Sequence, residues 1–593
     1  MLKSLRNIFL FVISATSLSL FGQTVAVPWT GTPGEVEAAV AANGGAGTFQ
    51  LEDGKVYLML DHIPVPQDGV VKIMGSGSTD MHPATLQPTP NSEGVIGLTD
   101  GQMFNLVGDN GELHLHDLIL NCMAVNAGGN VGVAAARTVS NKIVVDNCHM
   151  SGFNFLAFHT MGQGTDFHIT NSTFDGQTSG AGGMFYGGAI WGGGSWMGTM
   201  DELVFENNTV HGIIGEAIVA YSYVESGRLN QNTFANIAMG MSYVYTANNL
   251  QVTNNLLYNT RAYGQSSNDV TGWGVAWAGG VGQLAARQKI IGSQAADTDG
   301  NLLGYYEMSD AQEVSLSNRN QAWLNNAIVW SPALVSWMET MIATPWGWDV
   351  TADDGTVTAV GDTMMPIAVQ ARVHCDTSLA AVAAGIGITS DMNAILSSDD
   401  LGSNIAEEYI THQLARTLDF RDDQTTQGVG ATHEWVYQNN GSHVVVEWPF
   451  HLDVSYATTS AAYTHSLDGL PVGNLNAFPD KLAEWQTLST DSDDKKLAPA
   501  DFSLAQNYPN PFNPSTEIAY NLNKTSNINL TIFNVIGQKV RVLENSSKQA
   551  GTHTAKWDGR DEFGASVSTG LYFYTLSDGT SSFTRKMADR KSV

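Results

Sequence analysis

The chain has 593 residues, with Lys+Arg 27 against Asp+Glu 57 and a formal net charge of −30. That balance excludes a nucleic-acid binder and a protein docked on an anionic membrane, because both need a positive field, and it argues against a polyanionic substrate such as a polyuronate. Hydrophobic residues at 43% with charged residues at only 14% exclude a disordered chain, and three cysteines exclude a disulfide scaffold.

Lys3 and Arg6 precede a mostly apolar run over 8–21. The run is too short and too Ser-rich for a membrane span. It reads as a secretory signal over residues 1–25, cleaved near 22–26. No other stretch reaches about 18 apolar residues, so no transmembrane segment is expected in the mature chain. Export also places the cysteines where disulfides form.

Six segments then align: 113–122, 142–150, 166–174, 202–210, 227–234 and 250–258. Each is a short alternating run that ends in Asn or Gln and a turn. The repeated polar residues are Asn121, Asn147, Asn171, Asn207, Gln231 and Asn254, spaced 26, 24, 36, 24 and 23 apart. Alternation predicts strands, and a period in the low twenties predicts a solenoid. Asn tolerates the left-handed turn conformation and can bond to its stacked copies, which predicts an amide ladder along the axis. The expected fold is all-β: a right-handed parallel β-helix over 26–486, then a small antiparallel β-sandwich. At these residues, and in the opening segment 49–77, the sequence resembles the pectate-lyase-like β-helix superfamily. The resemblance covers about residues 45–280. It implies the fold and leaves function open, since lyases, hydrolases, adhesins and inert spikes share it.

Cys122 and Cys148 follow the first two turn residues. Coils stack about 4.8 Å apart, inside the Cα range of a disulfide, so a cross-coil disulfide is one expectation and two small core residues the other. Cys375, alone in the triplet 374–376, is too little for a metal site, and no metal site is expected.

A second register places an aromatic after two small or apolar residues in successive coils: Phe158, Trp191, Tyr221, Tyr243 and Trp277. Facing outward, Trp191, Tyr221, Tyr243 and Trp277 make a sugar-stacking platform; facing inward, they are core. The Gly-rich stretch 180–198 reads as a loop that carries Phe185, Tyr186, Trp191 and Trp196 to a binding lip or over the core.

Residues 281–480 repeat poorly. The segment 314–324 reads as a further coil, with Asn318 on the ladder, and 398–416 reads as an amphipathic helix. An inserted, partly helical lobe is expected around 281–440, and strand returns at 443–456. Residues 487–501 are polar and charged, hence a linker. Beyond it, three prolines (Pro509, Pro511, Pro514) lead into period-two runs separated by Asp558-Gly559 and Gly564, a sandwich pattern. The segments 507–514, 534–540, 557–564, 570–574 and 584–587 closely resemble the type A C-terminal sorting domain of type IX secretion. This resemblance covers residues 502–593 and implies export to the outer-membrane surface by that machinery. The charge divides accordingly. Lys+Arg number 10 against 7 Asp+Glu from residue 502 onward, and 15 against 50 between the leader and that point.

For a lyase of this fold a base and usually Ca²⁺ are needed, and for a glycosidase paired carboxylates. Among the few basic residues of 100–280, Arg228 lies in a ladder strand and Arg261 follows one. Asp175, Glu216 and Asp269 are the carboxylate candidates, and His149, His159, His168 and His211 recur in the coils. Arg228, His211 and Glu216 converging on one groove would mark an enzyme. Aromatics alone on the groove would mark a binder. The sequence assembles no catalytic set. The expected function is therefore a secreted or cell-surface β-helix protein that binds polysaccharide or another surface, with a polysaccharide lyase or glycoside hydrolase as the alternative. No cofactor is identified beyond Ca²⁺ as an option.

Overall fold

Short alternating strands cannot bury an apolar face alone, so each coil closes only against the coils before and after it. The computed structural model describes residues 24–260, 320–336, 394–415, 452–490 and 502–589. Short stretches inside these ranges are excepted (79–81, 99–100, 126–130, 155, 179–187, 193–198, 214, 216, 238–240, 407–408, 413–414, 505–506, 508–511, 513, 523–524, 535–538 and 578–581), and 346–351, 357–362 and 388–389 are described by backbone alone. Among the described residues no helix is long and apolar enough to cross a membrane.

The solenoid is a three-faced parallel β-helix. The first face stacks Gly47–Gln50, Val70–Met74, Glu112–His116, Lys142–Asp146, Thr165–Thr170 and Met200–Glu206, then the closing halves of Ile218–Asn230 and Ser242–Thr253. The second face is a ten-stranded sheet running from Val56–Met59 to Ala394–Ser397. The third stacks Ile63–Val65, Gln102–Leu106, Gly132–Ala136, Leu156–Thr160 and Gly188–Gly192, then the opening halves of the same two long strands. Those two strands pass from third face to first without a break, so both faces belong to one sixteen-stranded sheet. Thr24–Ala26, placed partly in the leader by the sequence, pairs with Gly47–Gln50 and belongs to the solenoid.

From the third coil on, the turn between first and second faces is a single left-handed residue. Those residues are Asp117, Asn147, Asn171, Asn207, Gln231, Asn254 and Asn325, with φ between 51° and 59°. Five agree with the sequence expectation. The first does not: His116 pairs with Asp146, so the turn residue is Asp117, and Asn121 lies four positions on, beside Ser151 in the second face. The expected Asn318 lies outside the described residues. The same slip separates the cysteines. Cys148 stands beside Leu118, whereas the Cys122 N–H donates to Ser151 O. Both thiols are free and buried, so the cross-coil disulfide is not formed, and burial pushes both far up from their ordinary value.

The buried ladder stands one residue after the turn. The side-chain oxygens of Asn208, Asn232, Asn255 and Asn326 accept the backbone N–H of Ser172, Asn208, Asn232 and Asn255 at 2.9–3.0 Å. Their Nδ2 groups donate to the carbonyls of Ile169, Phe205, Leu229 and Val252. Inside the coil Phe174, Phe205 and Phe234 stack at 5.7 and 6.2 Å.

Two later segments close over the second face. Leu401, Ile405, Tyr409, Ile410, Leu452, Val454 and Tyr456 pack on Ala235, Leu256, Tyr258, Ala327 and Val329. The helix expected over 398–416 is broken: Ser398–Leu401 is followed by Gly402 at φ +61°, and Ser403 bridges to Tyr456. Only that bridge, and no longer strand, is described for 452–456. Most of the lobe expected around 281–440 lies outside the described residues. A strap, 465–476, then crosses the stacked turns. Asn325 Nδ2 donates to His465 O, Leu467 N–H to Asn254 Oδ1, Gln231 Nε2 to Pro471 O, and Leu475 N–H to Asn207 Oδ1. Asn474 Nδ2 reaches Thr209 Oγ1 at 2.8 Å. The helix Pro479–Thr490 then runs into the start of the expected linker.

The C-terminal unit is antiparallel. A three-stranded sheet (Phe502–Leu504, Thr516–Leu522, Gly551–Trp557) faces a four-stranded one (Ser526–Asn534, Lys539–Lys548, Gly570–Ser577, Ser582–Asp589). Trp557, Tyr520, Tyr574 and Phe512 fill the core between them.

Candidate functional site

Along the first face, inward and outward residues alternate, interrupted by a bulge at Asp201, and the outward ones are half-exposed through most coils. Parallel register sorts them into three files about 4.8 Å apart from coil to coil. The first file holds Glu112, Lys142, Asp166, Glu202 and Ser226; the second Lys72, His114, Val144, His168, Val204, Arg228 and Gln251; the third His116, Asp146, Thr170, Glu206 and Asn230. The middle file is basic or neutral, and the acids stand in the outer two: Glu112, Asp166 and Glu202 in the first, Asp146 and Glu206 in the third. His114 Nε2 lies 2.9 Å from Glu112 Oε2, and His168 Nε2 lies 2.5 Å from Glu202 Oε2. The His168 contact holds the Glu202 carboxyl below its usual range. Burial, and then Glu202 itself, push Asp166 up. Thr170 Oγ1 and Asn171 Nδ2 both donate to Asp146 Oδ1. The result is a flat strip of paired donors and acceptors, with neither an excess of positive charge nor an open aromatic face.

Arg228 stands in this strip. Its Nη2 donates to Glu206 Oε2 at 2.7 Å, and Asn230 Nδ2 donates to Glu206 Oε1. His211 stands elsewhere, on the second face, pointing away from the coil interior but buried. Its Nε2 is 3.5 Å from Asp175 Oδ1, and His149 Nε2 is 3.7 Å from Asp175 Oδ2. Arg228 and His211 are thus on different faces and do not meet. Glu216, Asp269 and Arg261 lie outside the described residues, as do Cys375, Glu407 and Glu408. Among the described residues no group of three or more His, Cys, Asp or Glu side chains is arranged to hold a metal ion.

The aromatic residues do not form one file. Phe158 pairs with Ile190, one position out of step with Trp191, and is fully buried inside the coil. Trp191 pairs with His159 in the coil before and Val219 in the coil after, and Val219 pairs with Tyr243. Tyr221 is two positions past Val219. The Trp191 indole lies flat on the His159 imidazole, at 5.4 Å and 16° between planes. One ring face is therefore already covered. Burial, with Arg137 nearby, pushes His159 down to about 4, so the stacked imidazole is neutral. The side chains of Tyr221 and Tyr243, and all of Trp277, lie outside the described residues. Trp191 itself sits in the strand Gly188–Gly192, not on the expected loop.

Sequence reasoning missed two features. One is the three-file strip, whose signal was the outward set of each aligned segment. The other is the strap, whose backbone-to-Asn bonds leave no repeat in sequence.

Residues 513–582 match the family model of the FlgD Ig-like domain, which agrees with the seven-stranded C-terminal sandwich. No curated protein matches the chain at a significant level.

Proposed function

We propose that this chain is an exported surface protein whose β-helix binds an extended polysaccharide along its first face without cleaving it, and whose C-terminal sandwich addresses it to the type IX secretion machinery. The observation that carries the binding reading is the three-file strip. Hydroxyl-rich chains are recognised by closely spaced side chains that both donate and accept, and the strip repeats such groups at each coil. The mixed charge of the strip disfavours a polyanion. The separation of Arg228 from His211 supports binding over turnover. The sorting reading rests on the C-terminal sequence motifs and the Ig-like sandwich that carries them.

The test is a panel of neutral and acidic glycans on the full mature chain, with and without Ca²⁺, scoring both binding and release of unsaturated or reducing ends. Binding without release is expected. Replacing His168 and Gln251 together by Ala should weaken it about tenfold, or about 1.4 kcal/mol. Release of product would carry the lyase or hydrolase alternative instead. Silence across the panel would overturn the binding reading. Surface export that survives deletion of 502–593 would overturn the sorting reading.

A further inference from the structure

The second face carries a buried titratable cluster that neither ligand binding along the first face nor export uses. His211 pairs with Asp175 in the coil before and Ala235 in the coil after. Asp175 lies between two imidazoles, 3.5 Å from His211 Nε2 and 3.7 Å from His149 Nε2, and all three side chains are under 5% exposed. From the covering segment, the Tyr409 ring stands nearly perpendicular to the His211 ring, 6.0 Å between centroids. Among the described residues, the titratable groups facing His211 are Asp175 and His149 on its own face and the Tyr409 phenol on the cover; Ala235 brings none.

We propose that this cluster is an acid-sensitive latch, in which protonation of His211 releases the Tyr409 end of the cover and bares the His211 ring. The physical reason is hydration. A neutral imidazole fits beneath the Tyr409 ring, whereas an imidazolium there lacks water and shares the Asp175 carboxylate with His149. Burial, with His149 adding to it and Asp175 opposing it, pushes His211 down to about 4 from its ordinary 6.5. Once the cover opens, water restores the ordinary value. Between those two values the open state takes up a proton that the closed state refuses, so opening gains as pH falls, and below the lower value the gain stops. The cumulative effect on the open population is on the order of a hundredfold. The cover is suited to local opening. Against the second face it is held by apolar contacts from Leu401, Ile405, Tyr409 and Ile410 and a bond between Ser403 and Tyr258 at its other end, whereas the neighbouring coils are held by the buried amide ladder.

The test is amide hydrogen exchange on the full mature chain between about pH 7 and about pH 4, corrected for intrinsic exchange. The amides of Leu401, Ile405, Tyr409 and Ile410 should lose protection on the order of a hundredfold. Those of Asn208, Asn232 and Asn255 should hold theirs. His211→Gln should remove the pH dependence. Cover protection that does not change with pH, or a dependence that survives His211→Gln, overturns the latch. Should His211→Gln fail to fold, the wild-type comparison decides alone: loss confined to the cover supports the latch, and equal loss in cover and ladder overturns it.

Discussion

The first and second faces come from the same coils, and their outward residues meet opposite fates. On the first face most stay half-exposed and polar, from Glu112 to Arg228, with Val204 and Glu206 buried. On the second, one file reads Gln87, Asn121, Ser151, Asp175 and His211 and then turns into Ala235, Tyr258 and Val329. The change falls where the apolar cover begins. A strand's outward chemistry is thus set by what later chain comes to lie on it. A face that stays bare keeps polar groups available for a ligand, and a face that is covered trades them for packing.

Four substitutions sharpen that contrast. The largest loss is expected at the buried ladder. Asn232→Ala orphans the Asn208 N–H and the Phe205 carbonyl, costing about 3 kcal/mol, whereas Asn147→Ala on the exposed turn costs left-handed strain and a solvent-exposed bond to Asp117 Oδ1, about 1 kcal/mol. Denaturant unfolding of the β-helix reads both, and equal losses would break the distinction between buried ladder and outer turn. Asn474→Ala comes next. It removes the strap's bond to Thr209 and the cap of the short turn Leu475–Ala477, costing about 1–2 kcal/mol. Faster proteolysis within 465–478 should accompany it. The smallest effect has the opposite sign. Asp166 is pushed up by burial and by Glu202, so its charged form opposes folding, a cost that sets in as pH rises above the ordinary carboxylate value and is complete above the folded one. Asp166→Asn should therefore raise the melting temperature at neutral pH and leave it unchanged in acid. A loss at neutral pH would show that the carboxylate holds the strip together.

Much of this was legible in the sequence. The alternation and the Asn spacing were enough for a parallel solenoid, and five of the six turn residues fell where the pattern put them. The failure at Asn121 is instructive. The run 113–122 contains both Asp117 and Asn121, either of which suits a turn, and only backbone pairing of His116 with Asp146 decides between them. One choice of register also moved the cysteines apart. The aromatic stripe missed at Phe158 for the same reason: Phe158 and Trp191 look equivalent as third members of similar triplets, yet stand on opposite sides of their strands. The candidate site was half visible. Arg228 and His211 were named from residue type, but which face each occupies depends on position within a coil, and the sequence does not mark the cover that buries one face.

The amide ladder has a consequence for how such a protein lengthens. From Asn208 to Asn255 each rung accepts from the previous coil and offers the same groups to the next, so the upper and lower surfaces of these coils are interchangeable. A segment such as 208–231 could be duplicated in tandem and still find a complete set of partners. Before Asn208 the file changes to Ser172 and Cys148, whose side chains are shorter, and a coil copied there would meet a mismatched neighbour. Growth by whole coils is therefore open toward the C-terminal end of the stack and restricted at the other, and the reach of the first-face strip would grow with it.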